Sequence, residues 1–169
     1  MSEEDVVDRP VRRIPGGAGI LLPMRRPARR RDPKVERISQ VQLFSACSKR
    51  DLSRIAVLAE EIEVPSGRVL MRQGDIGREA FVIADGRAKV TIRGKSSAEL
   101  GPGECFGEMA LLHSAPRSAT VTAESDMRLF VLGSRQFAAL IESVPGVGRQ
   151  VLAALAERVR KAERAQPHH

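Results

Sequence analysis

One acid and one base stand nine residues apart in the run Cys105-Phe106-Gly107-Glu108-Met109-Ala110-Leu111-Leu112-His113-Ser114-Ala115-Pro116-Arg117-Ser118-Ala119-Thr120. Gly107 allows close approach of the backbone. Glu108 to Leu112 are good helix formers, so a single helical turn is expected there. The first N–H groups of such a turn have no partner inside it and point one way, which suits an anion. Arg117, directly after Pro116, can fold back over the same place, and its fork matches the oxygens of a phosphate. Each residue alone has a plainer reading. Glu108 could satisfy the helix N-terminus, and Arg117 could be a surface arginine. Ser118 stays open between a strand-edge hydroxyl and a ligand contact. Phe106 reads as core beside the site, and His113 as a loop residue.

Other chemistries find little support. Cys47 and Cys105 are far apart and form no CxxC motif, which argues against a disulfide scaffold or a zinc site and fits a reducing compartment. The sequence has no Cys/His dyad, no metal-ligand cluster and no Walker loop. His168-His169 is too short to argue a metal site. Nothing near Glu108 offers a paired acid, so binding is expected rather than catalysis, without a cofactor. The chain opens with acids instead of a basic n-region, and its early apolar run Ile20-Leu21-Leu22 stops at Pro23. No signal peptide or membrane span is expected, and the cytoplasm is the expected place.

The elements that must position these residues change character along the chain. Val35, Ile38 and Val41 share a short helical face, with order expected from about Lys34. Ser48 to Asp51 reads as a capping box, followed by Leu52, Ile55, Ala56 and Ala59 at helical spacing. This helix is expected to run to about Glu60. From Ile62 onward short apolar runs alternate with turns at Ser66-Gly67, Gly74-Asp75, Asp85-Gly86, Gly94-Lys95 and Gly101-Pro102-Gly103. The runs are 68–71, 81–83, 88–92, 99–100, 119–123 and 128–132. Many short strands at regular spacing predict a small antiparallel barrel or jelly roll. Ser134 is a candidate N-cap for a helix to Ser143, Pro145-Gly146 a break, and 147–164 a last helix with Val151, Leu152, Leu155 and Val159 on one side.

The run Phe-Gly-Glu-Met-Ala-Leu-Leu, followed by Pro-Arg-Ser-Ala, resembles the phosphate-binding cassette of the cyclic-nucleotide-binding family. That family includes catabolite-activator proteins, kinase regulatory subunits and nucleotide-gated channels. The resemblance covers about residues 41–164, and the turns at Gly74-Asp75, Gly86 and 100–103 fall where the family places its own. It implies a mainly β fold, a jelly-roll barrel with N-terminal helices and a C-terminal lid helix. It implies that Glu108 accepts from a ribose hydroxyl and that Arg117 pairs with a cyclic phosphate. Backbone N–H groups near Gly107, Met109, Ala110 and Ala119 reach phosphate or ribose oxygens, with Phe106 alongside. Ser118 adds a hydroxyl to phosphate or base, and Arg158 on the last helix stacks on the purine, its plainer reading being a solvated helix residue. The implied ligand is cyclic AMP; a Thr at position 118 would favour guanine, and Ser118 leaves cyclic GMP open. Two departures stand out. Ala80 occupies a position where many relatives carry an aromatic, and no helix-turn-helix domain follows the last helix, so a transcription-factor role is not carried over.

The formal net charge of +7 is unevenly placed. Residues 1–8 carry four acids, residues 9–34 nine bases and one acid, and the remainder only a small excess of bases. Residues 1–33 also hold five prolines and the Gly16-Gly17-Ala18-Gly19 run. Such a segment buries too little apolar surface to order itself and is expected to be disordered. It reads either as a solvated tail or as a basic arm for nucleic acid or another acidic surface. Without aromatics it lacks the means to stack on single-stranded bases. The domain is expected over 34–165, with 166–169 a short tail. A cyclic-nucleotide sensor whose last helix is read by a protein partner is the leading reading. A barrel without ligand acting as an interaction module, or a nucleic-acid regulator acting through the tail, are its rivals. The apolar side of the last helix could pair with a second copy or close over its own barrel.

Overall fold

A computed structural model describes residues 11–14 and 32–165. In chain order the strands are β1 (Arg12–Arg13), β2 (Glu60–Val64), β3 (Val69–Met71), β4 (Glu79–Asp85), β5 (Ala88–Ile92), β6 (Lys95–Leu100), β7 (Cys105–Phe106), β8 (Thr120–Ala123) and β9 (Met127–Gly133). The helices are α1 (Pro33–Ser39), α2 (Lys49–Leu58), α3 (Glu108–His113), α4 (Ser134–Ser143) and α5 (Pro145–Ala165), with a 3-10 turn at Gln42–Phe44. The strands form two antiparallel sheets, ordered β1-β2-β9-β4-β7 and β3-β8-β5-β6. This is the expected jelly-roll barrel with flanking helices.

Strands β4 and β9 organise the core because neither has a polar face. Ala80 to Ile83 and Leu129 to Leu132 are unbroken apolar runs, and all eight residues are buried. A strand of that kind must be covered on both sides. The two pair antiparallel, with Phe81 opposite Val131 and Val82 opposite Phe130. Side chains alternate faces along a strand. Phe81, Ile83, Leu129 and Val131 therefore fill the barrel interior with Ala88, Leu100, Val121 and Met127. Ala80, Val82, Phe130 and Leu132 face outward into a second cluster built with Ile38, Phe44, Ile55, Phe137, Leu140 and Val151 of the helical layer. Ala80 is fully buried under those helices, where its small side chain lets them sit close.

Local chemistry sets the helix ends. The Ser48 hydroxyl accepts from the Asp51 N–H at 3.2 Å, so the predicted cap forms, and α2 stops at Leu58. The Lys34 ammonium, from α1, donates to the carbonyls of Ala56 and Ala59, each at 2.5 Å, and so closes the end of α2. The expected break falls at Val144, after α4, and Pro145 opens α5, a position where its missing N–H costs no hydrogen bond. At the β4–β5 turn Gly86 has φ +93°, and a Cβ there would lie 2.5 Å from the Asp126 carbonyl oxygen.

Two departures from the sequence reading concern the outer edge of the first sheet. Within the segment expected to be without structure, Arg12 and Arg13 pair with Glu63 and Ile62 of β2. Pro33 of the same segment opens α1, while residues 1–10 and 15–31, and His168-His169, lie outside the described residues. Strand β2 itself, Glu-Glu-Ile-Glu-Val, is hidden in the sequence by its acids. One of them, Glu61, is buried at 2% exposure. The Arg37 guanidinium of α1 meets it in a fork, Nε to Oε1 at 2.5 Å and Nη2 to Oε2 at 2.6 Å. Arg128 of β9 lies 3.7 Å from the same carboxylate and 3.1 Å from Glu63. The fork holds Arg37 above the usual arginine range. Glu61→Ala strands Arg37 without its carboxylate, whereas Arg128 keeps Glu63. It is expected to destabilise the fold by about 2 kcal/mol, read as a lower urea midpoint with unchanged denaturant slope.

Candidate functional site

The site grows from the join between β7 and α3. Gly107 is the residue before the helix and has φ +82°. A Cβ at Gly107 would lie 2.6 Å from Arg117 Nη1 and 3.0 Å from the Glu79 carbonyl oxygen, so no other residue type fits without displacing the arginine. The predicted helical turn follows as α3, six residues long, and ends at Ser114 in the left-handed region, φ +46°. The chain then runs antiparallel to the turn after β3. Ile76 bridges Pro116, the Arg117 N–H donates to the Asp75 carbonyl at 2.8 Å, and the Gly74 N–H donates to the Arg117 carbonyl at 2.9 Å.

Those bonds aim the Arg117 side chain inward. The residue is only 7% exposed. Its Nη1 donates to the Gly107 carbonyl at 2.8 Å. Its guanidinium carbon sits 5.9 Å above the Phe81 ring, within cation–π range. That ring in turn stacks on Phe106 at 4.9 Å, with 11° between planes. On its other flank lies Gly77, where a Cβ would come within 2.5 Å of Arg117 Nε and 2.8 Å of the Ala110 Cβ. Two glycines and a phenyl ring thus form a slot shaped to one guanidinium. Burial pulls Arg117 below the usual arginine range, and the charges of Glu79 and Glu108 oppose that pull.

Glu108 lies on the same ground, at 1% exposure. Arg158 of α5 donates through Nη1 to Glu108 Oε1 and through Nη2 to the Cys105 carbonyl. The Cys105 thiol approaches Glu108 Oε2 at 3.8 Å. The carboxylate therefore joins two parts of the chain 50 residues apart. Burial, and next the Glu108 charge, push the Cys105 thiol well above its usual range.

The structure brings Phe106, Gly107, Glu108, Ala110 and Arg117 together at this join, with Arg158 reaching in from α5. Phe106 is a core residue under the slot. Met109 is half exposed, Ser118 is exposed and Ala119 is buried at the start of β8. Sequence reasoning missed Gly77, Glu79 and Cys105 as parts of the site, and named Phe81 only as a strand residue. Among the described residues no group of His, Cys, Asp and Glu is arranged to hold a metal, and no helix is long and apolar enough to cross a membrane.

The site thus joins an arginine and a glutamate at a short helix set into a double-sheet barrel. Residues 61–144 match the sequence profile of the cyclic nucleotide-binding domain, and the chain carries a domain of that family. It is 38% identical over 104 residues to a cyclic AMP receptor protein of Thermus thermophilus, covering 59% of this chain and 48% of that protein. It is 35% identical over 121 residues to a cyclic nucleotide-gated potassium channel of Rhizobium etli, covering 72% of this chain and 34% of the channel. The crystal structure of the Thermus thermophilus catabolite activator protein superposes with a TM-score of 0.64 at 33% identity, over 72% of this chain and 59% of that one. The chain thus spans about half or less of the curated relatives it matches.

The Cys105 shift has a consequence for stability. Its thiol keeps its proton in the folded protein at pH values where the unfolded chain, with a thiol pKa of about 8.5, releases it. The contribution is fully present below that pKa and is lost as pH rises toward the folded value, by up to about 1.4 kcal/mol per pH unit. Urea unfolding between pH 7 and 9.5 is expected to show a steeper decline in the natural protein than in Cys105→Ala, and parallel curves would refute this.

Proposed function

We propose that this chain senses a 3′,5′-cyclic nucleotide and that its output is the position of α5. The observation that carries the reading is the desolvated Arg117 guanidinium beside the buried Glu108 carboxylate. A cyclic phosphate supplies the two-oxygen partner that a guanidinium fork matches, and a ribose hydroxyl supplies a donor for Glu108. Backbone N–H groups at Met109, Ala110 and Ala119 add donors to the phosphate or ribose. Cyclic AMP is the preferred nucleotide, and the name of the Thermus thermophilus relative supports that choice. Ser118, where Thr would favour guanine, leaves cyclic GMP open as the alternative. The names of the matched relatives, a receptor protein and a nucleotide-gated channel, support a sensor over an enzyme.

The Arg158–Glu108 contact supports a route from ligand to helix. A ribose hydroxyl that takes up Glu108 must share the carboxylate with Arg158 or displace it. Arg158 is then free to move toward the base, and α5 moves with it. This transmits a signal only if the ligand binds the two helix positions with different affinity. A partner protein would read the new position of the helix.

Arg117→Leu leaves the bound phosphate without its charge partner, at a cost of about 2–5 kcal/mol. Calorimetry with cyclic AMP is expected to show an affinity at least tenfold lower, and unchanged affinity in a folded variant would remove Arg117 from the site. In Arg158→Gln, hydrogen exchange along residues 156–165 is expected to become indifferent to cyclic AMP, while binding itself persists. Ligand-dependent exchange retained in that variant would break the proposed route.

A further inference from the structure

The sheet edge formed by β2 has an occupant of unusual character. Its outer neighbour is β1, two residues contributed by a segment rich in proline and arginine. Arg13 pairs with Glu60 at 3.2 Å, and the Ile14 N–H donates to the Glu61 carbonyl at 3.1 Å. Arg12 lines a shallow groove with Glu63, Asp85, Asp126 and Arg128. Val11 packs against the barrel cluster beside Ile62. The seated sequence is therefore apolar-Arg-Arg-apolar, and the edge that holds it reads acid-acid-apolar-acid-apolar.

The hold is weak by construction. Two residues make a marginal strand, and the Arg13 side chain is 81% exposed, so its ion pair is screened by water and salt. Such a segment opens locally far more often than the barrel does. Each opening bares a row of unpaired N–H and C=O groups on β2, a template for another extended chain. Three acids in five residues restrict which chain is accepted.

We propose that the outer edge of β2 is a strand-docking site for an extended basic segment of a partner protein, and that residues 11–14 occupy it as an internal competitor. The partner segment carries two adjacent arginines flanked by β-branched residues. Its backbone pairs with β2, its arginines meet Glu60 and Glu63, and its flanking side chains cover Ile62 and Val64. This is strand addition to a sheet edge, with charge selecting the strand. It does not depend on the nucleotide reading.

The test uses the full chain and a fluorescent peptide with the sequence of residues 9–16. The tethered strand competes at an effective concentration on the order of millimolar. In Arg13→Glu/Ile14→Pro, which removes one ion pair and the Ile14 donor, peptide affinity is expected to rise at least tenfold over the natural chain. Glu60→Lys/Glu63→Lys in that background is expected to abolish binding. Hydrogen exchange of the β2 amides should be faster in the double variant and slow again with peptide. The milder Arg12→Ala/Arg13→Ala serves if the first variant does not fold. Equal peptide affinity for natural and variant chains, or affinity untouched by the lysine substitutions, overturns the proposal. So does dimerisation of the natural chain that Glu63→Lys abolishes, because the occupant would then be a second copy.

Discussion

The interaction on which the site depends is the desolvated guanidinium of Arg117. A cation withdrawn from water must be met by dipoles or opposite charge, or it destabilises whatever holds it. Here it receives one carbonyl, one aromatic face and the fields of two carboxylates. That is enough to hold the charge in place and too little to replace a full hydration shell. That shortfall is the reason the proposed ligand is an anion. It exists because Gly77 and Gly107 leave no side chain in the way and because the 74–77 turn is bonded to 116–117 on both of its polar edges.

Precision of that kind needs a rigid floor, and β4 supplies it. Phe81 lies under the guanidinium, is stacked on Phe106 and faces Val131 across the ladder, so its ring has little freedom. The neighbouring residues Ala80 and Val82 are clamped from the other side by the helical layer. One strand therefore registers the interior of the barrel against the helices. A displacement of α4 or α5 is felt at Phe81 through a single residue step, because interiors are close-packed and transmit strain.

The barrel was legible in the sequence where periodicity and turn chemistry agreed, as in 88–92, 128–132 and the glycine-centred turns. The cassette was legible because its residues are contiguous. What escaped was set by contacts distant in sequence. Glu-Glu-Ile-Glu-Val looks unlike a strand until Arg37 and Arg128 arrive to neutralise Glu61. Val11 to Ile14 look like a tail until an acidic edge is present to pair them. Gly77 carries no signal of its own, since its purpose is the room it leaves for an arginine forty residues later. Local propensity loses to tertiary context at these positions, as it must wherever the deciding partner lies elsewhere in the chain.

The placement of Arg158 follows the same logic and says what α5 can do. Val147 and Val151 anchor the first half of the helix in the core, whereas from Ala156 onward every described residue except Arg158 is exposed. The outer half of α5 therefore gains almost nothing from apolar burial. What ties it to the barrel is one guanidinium bonded to Glu108 and to the Cys105 carbonyl. A helix held by packing responds to little. A half-helix held by a single polar group responds to whatever that group's acceptor is asked to bind. The acceptor is the same carboxylate whose charge acts on Arg117, so the outer half of α5 and the Arg117 slot are joined through one residue.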